Sequence, residues 1–153
     1  MPFSKVNTNV PKPLGKSYLD KPRTLGQMLR NKRLELGLLK QDVAKRLGVC
    51  TDSITLWETE KAQASVKHYP NIIAFLGYFP FQLEGSLIAI KIKRFRYDNG
   101  LTQEELAQKL SINESTVYHY EKDIHKPLPK ILYRIECLIG KTNKGETNMP
   151  TEP

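Results

Sequence analysis

The 153-residue chain lacks the features of a membrane protein or a disulfide-bonded secreted domain. No apolar run approaches the roughly 20 residues needed to cross a bilayer, and the N-terminal stretch "PFSKVNTNVPKPLGK" has no apolar signal-peptide core. Only two cysteines occur, Cys50 and Cys137, and neither lies in a CxxC motif or a Cys/His cluster. These absences favour a cytoplasmic protein with reduced thiols and no membrane partner.

Motifs of enzyme active sites are also missing. The sequence has no glycine-rich phosphate loop, nucleophile elbow or paired-carboxylate site. Its three histidines, His68, His119 and His125, do not have the spacing of metal ligands. We therefore expect no catalytic residue, no metal, no cofactor and no small-molecule substrate, and we do not expect an enzyme.

Positive charge is what the sequence has in excess. Lys and Arg number 24 against 16 Asp and Glu, giving a net charge of +8 and an isoelectric point near 9.5. Such a surplus favours an acidic partner, either nucleic acid or an anionic membrane, and nothing else in the sequence supports the membrane. Residues 1–23 alone carry five basic side chains and one acidic one. The composition predicts a nucleic-acid partner.

Shifts in composition divide the chain into five segments. Residues 1–23 are rich in Lys, Pro and Asn and are predicted to form a flexible basic arm. Residues 24–79 and 88–140 each have helical periodicity and are predicted to be separate small domains. A linker over 80–87, "PFQLEGSL", joins them, and a polar tail over 141–153 is predicted to be disordered.

An internal repeat relates the two predicted domains. Shifting the chain by 63 residues aligns Leu25 with Ile88, and apolar residues then recur at matching intervals of three and four. Trp57 and Tyr120 match as well and are predicted to lie in the core. No strand-like alternation competes, so the sequence predicts an all-α fold. The six identities are Arg33/Arg96, Gly37/Gly100, Leu38/Leu101, Ala44/Ala107, Leu47/Leu110 and Glu58/Glu121.

Local signals mark where helices begin and end. Gly37 and Gly100 follow the first helix of each domain and suit the left-handed conformation at a helix end. Thr102 with Glu105 three residues later forms a capping box that predicts the start of the next helix. Leu39 occupies the matching place in the first domain, which therefore loses that cap.

The segment between the second and third helices predicts a tight turn between two closely crossing helices. Ala44 and Ala107 are small enough for a close crossing, and Gly48 suits a turn that needs a positive φ angle. Ser111 replaces this glycine in the second domain, where local strain is expected. A helix, a turn of three to four residues and a second helix describe a helix-turn-helix.

At these residues both segments resemble the phage-repressor and Cro-like helix-turn-helix family, the XRE type, and we therefore expect a bacterial or phage-derived protein. "GLTQEELAQKL" followed by "STVYHYE" carries the resemblance in the second domain, and "LGVCTDSITLWE" carries it in the first. It covers more than two-thirds of the chain. The resemblance implies two tandem helix-turn-helix bundles of four to five short helices each. It also implies sequence-selective binding of double-stranded DNA by a transcriptional regulator, with a repressor that occupies its operator as the simplest form.

The resemblance assigns roles to individual positions. The third helix of each domain would face the bases through Thr51, Asp52, Thr55 and Leu56, and through Glu114, Ser115, Tyr118 and His119. The second helix would approach a phosphate through Lys40 or Gln103. Arg33 would pair with Glu58, and Arg96 with Glu121, as structural ion pairs. Further phosphate contacts are expected from Arg30, Lys32, Lys45, Lys61, Lys93, Arg94, Lys122 and Lys126.

A protein-binding role is the alternative. Asp52 and Glu114 stand at base-facing positions where no Arg is present, and carboxylates repel phosphates. This chemistry also fits a co-regulator or an antitoxin-like adaptor of the same fold. The aromatic block Tyr69–Phe81 is predicted mostly as core of the first domain, with a dimer surface as the other interpretation. A homodimer therefore stays open.

Overall fold

The computed structural model describes residues 18–146, with side chains for residues 18–141. These residues form eight α-helices and one short 3-10 helix without any strand, which confirms the predicted all-α fold. The chain divides between Phe81 and Gln82 into two compact units, here called the N-terminal and the C-terminal unit. Most of the predicted arm, residues 1–17, and the end of the predicted tail, residues 147–153, lie outside the described residues.

The N-terminal unit is built from four α-helices around one apolar core. Its helices are α1 (Leu25–Glu35), α2 (Lys40–Leu47), α3 (Thr51–Glu58) and α4 (Tyr69–Leu76), with the 3-10 helix Val66–His68 before α4. Helices α1 and α2 each pack against both α3 and α4. The core side chains are Leu29, Val43, Leu47, Ile54, Trp57, Ile72 and Leu76.

The C-terminal unit also has four α-helices. They are α5 (Leu87–Asp98), α6 (Gln103–Leu110), α7 (Glu114–Glu121) and α8 (Pro129–Glu146). Helix α7 packs against α5 and α6, and α8 packs against α6. The core side chains are Ile92, Phe95, Leu106, Leu110, Val117, Tyr120 and Ile135. Trp57 and Tyr120 are thus both core residues, as predicted.

Helix α8 is longer than the sequence indicated. The predicted second domain ended at residue 140, whereas α8 continues to Glu146, into the predicted disordered tail. Ile139 is the last of its apolar residues to pack against the core. The following residues include no proline before Pro150, so the helix continues although its pattern has become polar.

Two helix starts show how the units differ in their caps. Thr102 Oγ1 accepts from the Glu105 amide at 3.1 Å, and the Glu105 carboxylate accepts from the Thr102 amide at 2.8 Å, so the predicted capping box is confirmed. Leu39 has no side-chain acceptor, but the Asp42 carboxylate accepts from its amide at 2.8 Å. Half of the box therefore persists in the N-terminal unit, through a residue that the sequence analysis did not consider.

The turn between the second and third helices has the same left-handed backbone in both units. Gly48 has a φ of 68°, and Ser111 has a φ of 56° at the matching position. A serine lacks the freedom of glycine in this region, so the strain expected at Ser111 is located in that turn. Ala44 and Ala107, one turn earlier, are both buried.

The last helix of each unit holds the end of the second helix in place. Asn71 on α4 donates to the carbonyl of Leu47, which ends α2, at 3.4 Å. Arg134 on α8 donates to the carbonyl of Leu110, which ends α6, at 3.1 Å. These side chains satisfy carbonyl groups that a helix end leaves without intrahelical partners.

A close approach of α1 and α3 defines the N-terminal unit. A Cβ atom added at Gly26 would lie 1.9 Å from the carbonyl oxygen of Trp57. The matching residue of the C-terminal unit is Ala89, which is buried in α5. Only glycine fits at position 26, because the start of α1 touches the backbone of α3.

The aromatic block contributes both buried and exposed residues. Ile72 and Leu76 are buried in the core of the N-terminal unit. The Phe81 ring lies 4.5 Å from that of Tyr69, so Phe81 packs within this unit although the predicted linker began at residue 80. Tyr78 is exposed. Across the described part of the chain, no helix has both the length and the apolar character required to cross a membrane.

Candidate nucleic-acid interface

Helix α7 presents one face to the core and the opposite face to solvent. Val117, Tyr120 and Glu121 are buried, as the spacing of three to four residues per turn requires. Of the four residues predicted to face bases, two precede these buried positions and two, Tyr118 and His119, lie between them. Glu114, Ser115 and Tyr118 are exposed, and His119 is half-buried.

Helix α3 has the same division. Ile54, Trp57 and Glu58 are buried. Of the residues predicted to face bases, three are exposed and the fourth, Thr55, is half-buried; the exposed ones are Thr51, Asp52 and Leu56. The outward faces of α3 and α7 thus carry the eight side chains that the resemblance selected.

In the N-terminal unit a predicted phosphate ligand reaches the outward face of α3. The Lys40 ammonium, in the first turn of α2, donates to Thr55 Oγ1 at 3.3 Å. Thr55 Oγ1 in turn donates to the carbonyl of Thr51 at 3.2 Å. The structure therefore brings together a cationic group and two predicted base-facing residues.

Gln103 is placed differently from Lys40, although both begin the second helix of their unit. Its amide Nε2 donates to Glu121 Oε2 at 2.9 Å, so the side chain is turned inward to the end of α7. Gln103 is therefore not in the orientation that the predicted phosphate contact requires.

Two buried ion pairs fix the orientation of α3 and α7. Arg33 Nε lies 2.6 Å from Glu58 Oε1, and Arg33 Nη2 lies 2.8 Å from Glu58 Oε2. The corresponding distances between Arg96 and Glu121 are 2.6 and 3.0 Å. Both carboxylates are buried. The structure thus brings together each of the two pairs that the resemblance implied, in bidentate geometry.

Each of these arginines has a third hydrogen bond. Arg33 Nη1 donates to the carbonyl of Leu38, and Arg96 Nη1 donates to the carbonyl of Leu101, both at 3.2 Å. These carbonyls lie just before α2 and α6. One guanidinium in each unit therefore connects the first helix, the start of the second helix and the end of the third, which sets the angle between the two helices of the turn.

The other basic residues predicted to contact phosphates lie on several helices and loops. Those that the structure exposes are Lys45, Lys61, Arg94, Lys122 and Lys126, whereas Arg30, Lys32 and Lys93 are half-buried. Two of them pair with carboxylates on their own helix: Lys32 lies 3.7 Å from Glu35, and Arg94 lies 2.8 Å from Asp98. Ion pairs of this kind on a helix surface contribute little to stability.

Sequence reasoning missed a carboxylate that supports the segment after α7. Both the amide and the hydroxyl of Ser86, the N-cap of α5, donate to the Asp123 carboxylate. These two hydrogen bonds lower the pKa of Asp123 below its ordinary value. Asp123 has a φ of 57°, a left-handed conformation that Asp tolerates better than most residues. The positive φ of Asp123 could not be predicted from the sequence. Ser86, in contrast, precedes an apolar helical run and could have been recognised as an N-cap.

The pKa values of two side chains on α7 and at the start of α3 differ from their ordinary values. A hydrogen bond with Ser53 lowers the pKa of the exposed Cys50 thiol, which stands at the N-cap of α3. Burial raises the pKa of Tyr120 on α7.

The His119 ring lies 5.1 Å from the ring of His125, at right angles to it. Within residues 18–141, no three His, Cys, Asp or Glu side chains are grouped so that they could hold a metal ion.

The geometry of α6 and α7 is that of a helix-turn-helix, and a comparison with known families agrees. Residues 92–142 match the model of the family described as Helix-turn-helix. This range begins within α5 and ends within α8, so it includes both helices of the turn. The match confirms the resemblance for the C-terminal unit.

Two curated relatives have related names. A protein of Methanobrevibacter smithii, provisionally named as an HTH-type transcriptional regulatory protein, is 28% identical over 122 residues, which are 80% of this chain and 36% of the relative. An uncharacterised HTH-type transcriptional regulator of Archaeoglobus fulgidus is 38% identical over 45 residues, 29% of this chain and 64% of the relative. The chain therefore spans less than two-thirds of either relative. No solved structure matches.

Both relatives come from archaea. The expectation of a bacterial or phage protein is therefore not confirmed. The residues that carried the resemblance are those of a turn and its flanking helices, and this geometry does not distinguish one group of organisms from another.

Proposed function

We propose that this chain is a sequence-selective regulator of transcription that binds double-stranded DNA, with repression through occupation of an operator as its simplest action. The observation that carries the proposal is the outward face of α7. Glu114, Ser115 and Tyr118 are exposed on a helix whose opposite face is held in place by the Arg96–Glu121 pair. This arrangement lies within the segment similar to the helix-turn-helix family.

We also propose that the N-terminal unit is a second helix-turn-helix. Three features support this extension: a left-handed residue at the turn, Gly48; the bidentate pair between Arg33 and Glu58; and an outward face on α3. One chain would then supply two reading helices. The alternative, a homodimer that reads DNA through one unit of each chain, predicts a symmetric binding site.

Phosphate contacts and base contacts would be made by different side chains. The surplus of +8 would supply most of the affinity through the phosphate backbone. The carboxylates of Asp52 and Glu114 cannot contribute there, but a carboxylate can accept a hydrogen bond from cytosine N4 in the major groove. We therefore assign discrimination between bases to α3 and α7 and affinity to the surrounding lysines and arginines.

Selection and salt titration together test this function. Sites would be selected from random duplex DNA with the full chain, and binding to a selected site would be measured over a range of salt. We expect an enriched sequence and an affinity that falls steeply with salt. Enrichment should be lost in Glu114→Ala/Tyr118→Ala and kept in Glu136→Ala, which alters an exposed residue of α8.

A protein-binding adaptor is the second candidate, because two leucines of the N-terminal unit, one at the start of α2 and one on α3, are exposed. Leu39 is 60% exposed and Leu56 is 41% exposed. Apolar side chains at these places suit a protein surface as well as a thymine methyl group. Absence of binding to any duplex at low salt would favour this second function over the first.

A further inference from the structure

A pocket opens beside the core of the N-terminal unit. It has a volume of about 290 Å³, at the lower end of the range of about 300 to 1,000 Å³ that is typical of small-molecule sites. The core residues Leu29 and Ile72 form part of its wall. Close-packed interiors leave few spaces larger than a water molecule, so a pocket of this size offers room for a ligand.

Three aromatic residues border this pocket. They are Trp57, which is the single tryptophan of the chain, Tyr69 and Phe81. The rings of Tyr69 and Phe81 are 4.5 Å apart. The face of an aromatic ring carries partial negative charge and attracts a cation within about 6 Å of it. The aromatic residues therefore favour a positively charged ligand over a negatively charged one.

A carboxylate borders the same pocket. Glu60 follows the end of α3 by two residues and is exposed. Gln27 Nε2 lies 3.4 Å from each of its carboxylate oxygens, which is long for a hydrogen bond. Among the described residues no ion pair involves Glu60. Because a carboxylate has lone pairs for about four hydrogen bonds, Glu60 can still accept from an ammonium group.

At the equivalent place of the C-terminal unit, the carboxylate is already bound. The shift of 63 residues aligns Glu60 with Asp123, and both have left-handed backbones, with φ of 61° and 57°. Asp123 accepts from the amide and the hydroxyl of Ser86, whereas the contacts of Glu60 are long. The same shift aligns Tyr69 with Leu132, which is not aromatic. The combination of an available carboxylate and aromatic walls therefore distinguishes the N-terminal unit.

We propose that this pocket binds a small organic cation, a protonated amine with a compact apolar body. The apolar body packs against Leu29 and Ile72, and the ammonium group is held by Glu60 and the aromatic residues. A ligand there stabilises the N-terminal unit, because it binds the folded state and not the unfolded one. This inference goes beyond the proposed function and does not depend on binding to DNA.

The fluorescence of Trp57 tests the proposal with the full chain. The probe is 2-phenylethylamine, and its neutral counterpart 2-phenylethanol serves for comparison. Since the single tryptophan borders the pocket, its emission should change saturably with the amine, with a Kd on the order of 1 mM for so small a ligand. The alcohol lacks the positive charge and should bind about tenfold more weakly.

Glu60→Gln removes the charge of the carboxylate and keeps the size of the side chain. It should weaken binding of the amine about fivefold and leave binding of the alcohol unchanged. The matched control is Glu136→Gln, which removes an exposed carboxylate on α8 and should change neither affinity. Tyr69→Leu, which gives position 69 the residue type of Leu132, should weaken binding of the amine about threefold.

Thermal unfolding provides a second readout. The amine at about 10 mM should raise the Tm of the wild type, and it should raise that of Glu60→Gln less. Equal affinities of the wild type for amine and alcohol, or equal affinities of wild type and Glu60→Gln for the amine, would overturn the assignment of a cation. An amine that causes neither a saturable change in emission nor a shift in Tm would overturn the pocket as a binding site. Both results leave the proposed binding to DNA unaffected.

Discussion

Glu121 accepts three hydrogen bonds from two residues of the C-terminal unit. Arg96 Nε and Nη2 lie 2.6 and 3.0 Å from its oxygens, and Gln103 Nε2 lies 2.9 Å from Oε2. One carboxylate therefore connects α5, α6 and α7. A buried charge is costly to desolvate, and these three donors offset the cost only while all of them remain in place.

Removal of Glu121 should destabilise the C-terminal unit strongly. Glu121→Ala leaves the Arg96 guanidinium buried without its partner, at a cost of about 3 to 5 kcal/mol in the free energy of unfolding. Urea or thermal unfolding of the full chain measures the change. Glu104→Ala, on the exposed side of α6, is the control. Equal melting shifts in the two variants would contradict a structural role for the pair.

Gly26→Ala should destabilise the N-terminal unit although alanine is the better helix former. Helix propensity alone favours the substitution by at most about 1 kcal/mol. The added methyl would lie 1.9 Å from the carbonyl oxygen of Trp57, and overpacking of this kind costs about 1 to 3 kcal/mol or more. Packing should therefore outweigh propensity and lower the unfolding midpoint.

The matching position of the other unit provides the control for this prediction. Ala89→Gly should cost only about 0.5 to 1 kcal/mol, because it removes a small buried side chain and adds backbone freedom. A Gly26→Ala protein with a higher unfolding midpoint than the wild type would contradict the prediction, because α1 and α3 could then move apart without loss of stability.

Asp123 should contribute to stability in a pH-dependent manner. Its pKa is lowered below the ordinary value of 3.8 by the hydrogen bonds from Ser86. The unfolded chain therefore takes up a proton first as the pH falls, so the contribution is complete above about pH 5 and is lost as the pH falls through the folded pKa. Asp123→Asn should accordingly lower the urea midpoint at neutral pH, with a difference that shrinks in acid.

The comparison for this titration is an exposed carboxylate on α8. Glu136→Gln should leave the midpoint nearly unchanged at every pH, because surface charges contribute little. A difference between wild type and Asp123→Asn that grows in acid would have the wrong sign and would refute the assignment.

The two units should read different DNA sequences if both bind. Asp52→Ala/Leu56→Ala should relax selection in one half of the site, and Glu114→Ala/His119→Ala should relax it in the other. Each lost base contact costs about 1 to 3 kcal/mol in discrimination. Selected sites from random duplex DNA are the measurement. A palindromic site that both pairs alter equally would indicate a homodimer that reads through one unit only.

Features that depend on residues close in sequence were predictable. The capping box of Thr102 and Glu105 follows from a spacing of three, and the left-handed turn at Gly48 follows from the residue type. The resemblance also placed Thr51 and Glu114 on the outward faces of α3 and α7, and both are exposed there. Backbone geometry determines the interactions within one helical turn, so these interactions can be predicted from the local sequence.

Features that depend on packing between distant segments were decided only by the tertiary structure. Gln103 turns inward to Glu121 because α6 and α7 cross there, and Asn31 holds Leu19 because the preceding chain folds back along α1. Gly26 is required only because α3 ends against it. The local sequence around these residues does not specify their tertiary contacts, since a side-chain amide or a glycine can occupy many positions in a helix. The partner exists only when packing brings separate helices within hydrogen-bonding or van der Waals distance.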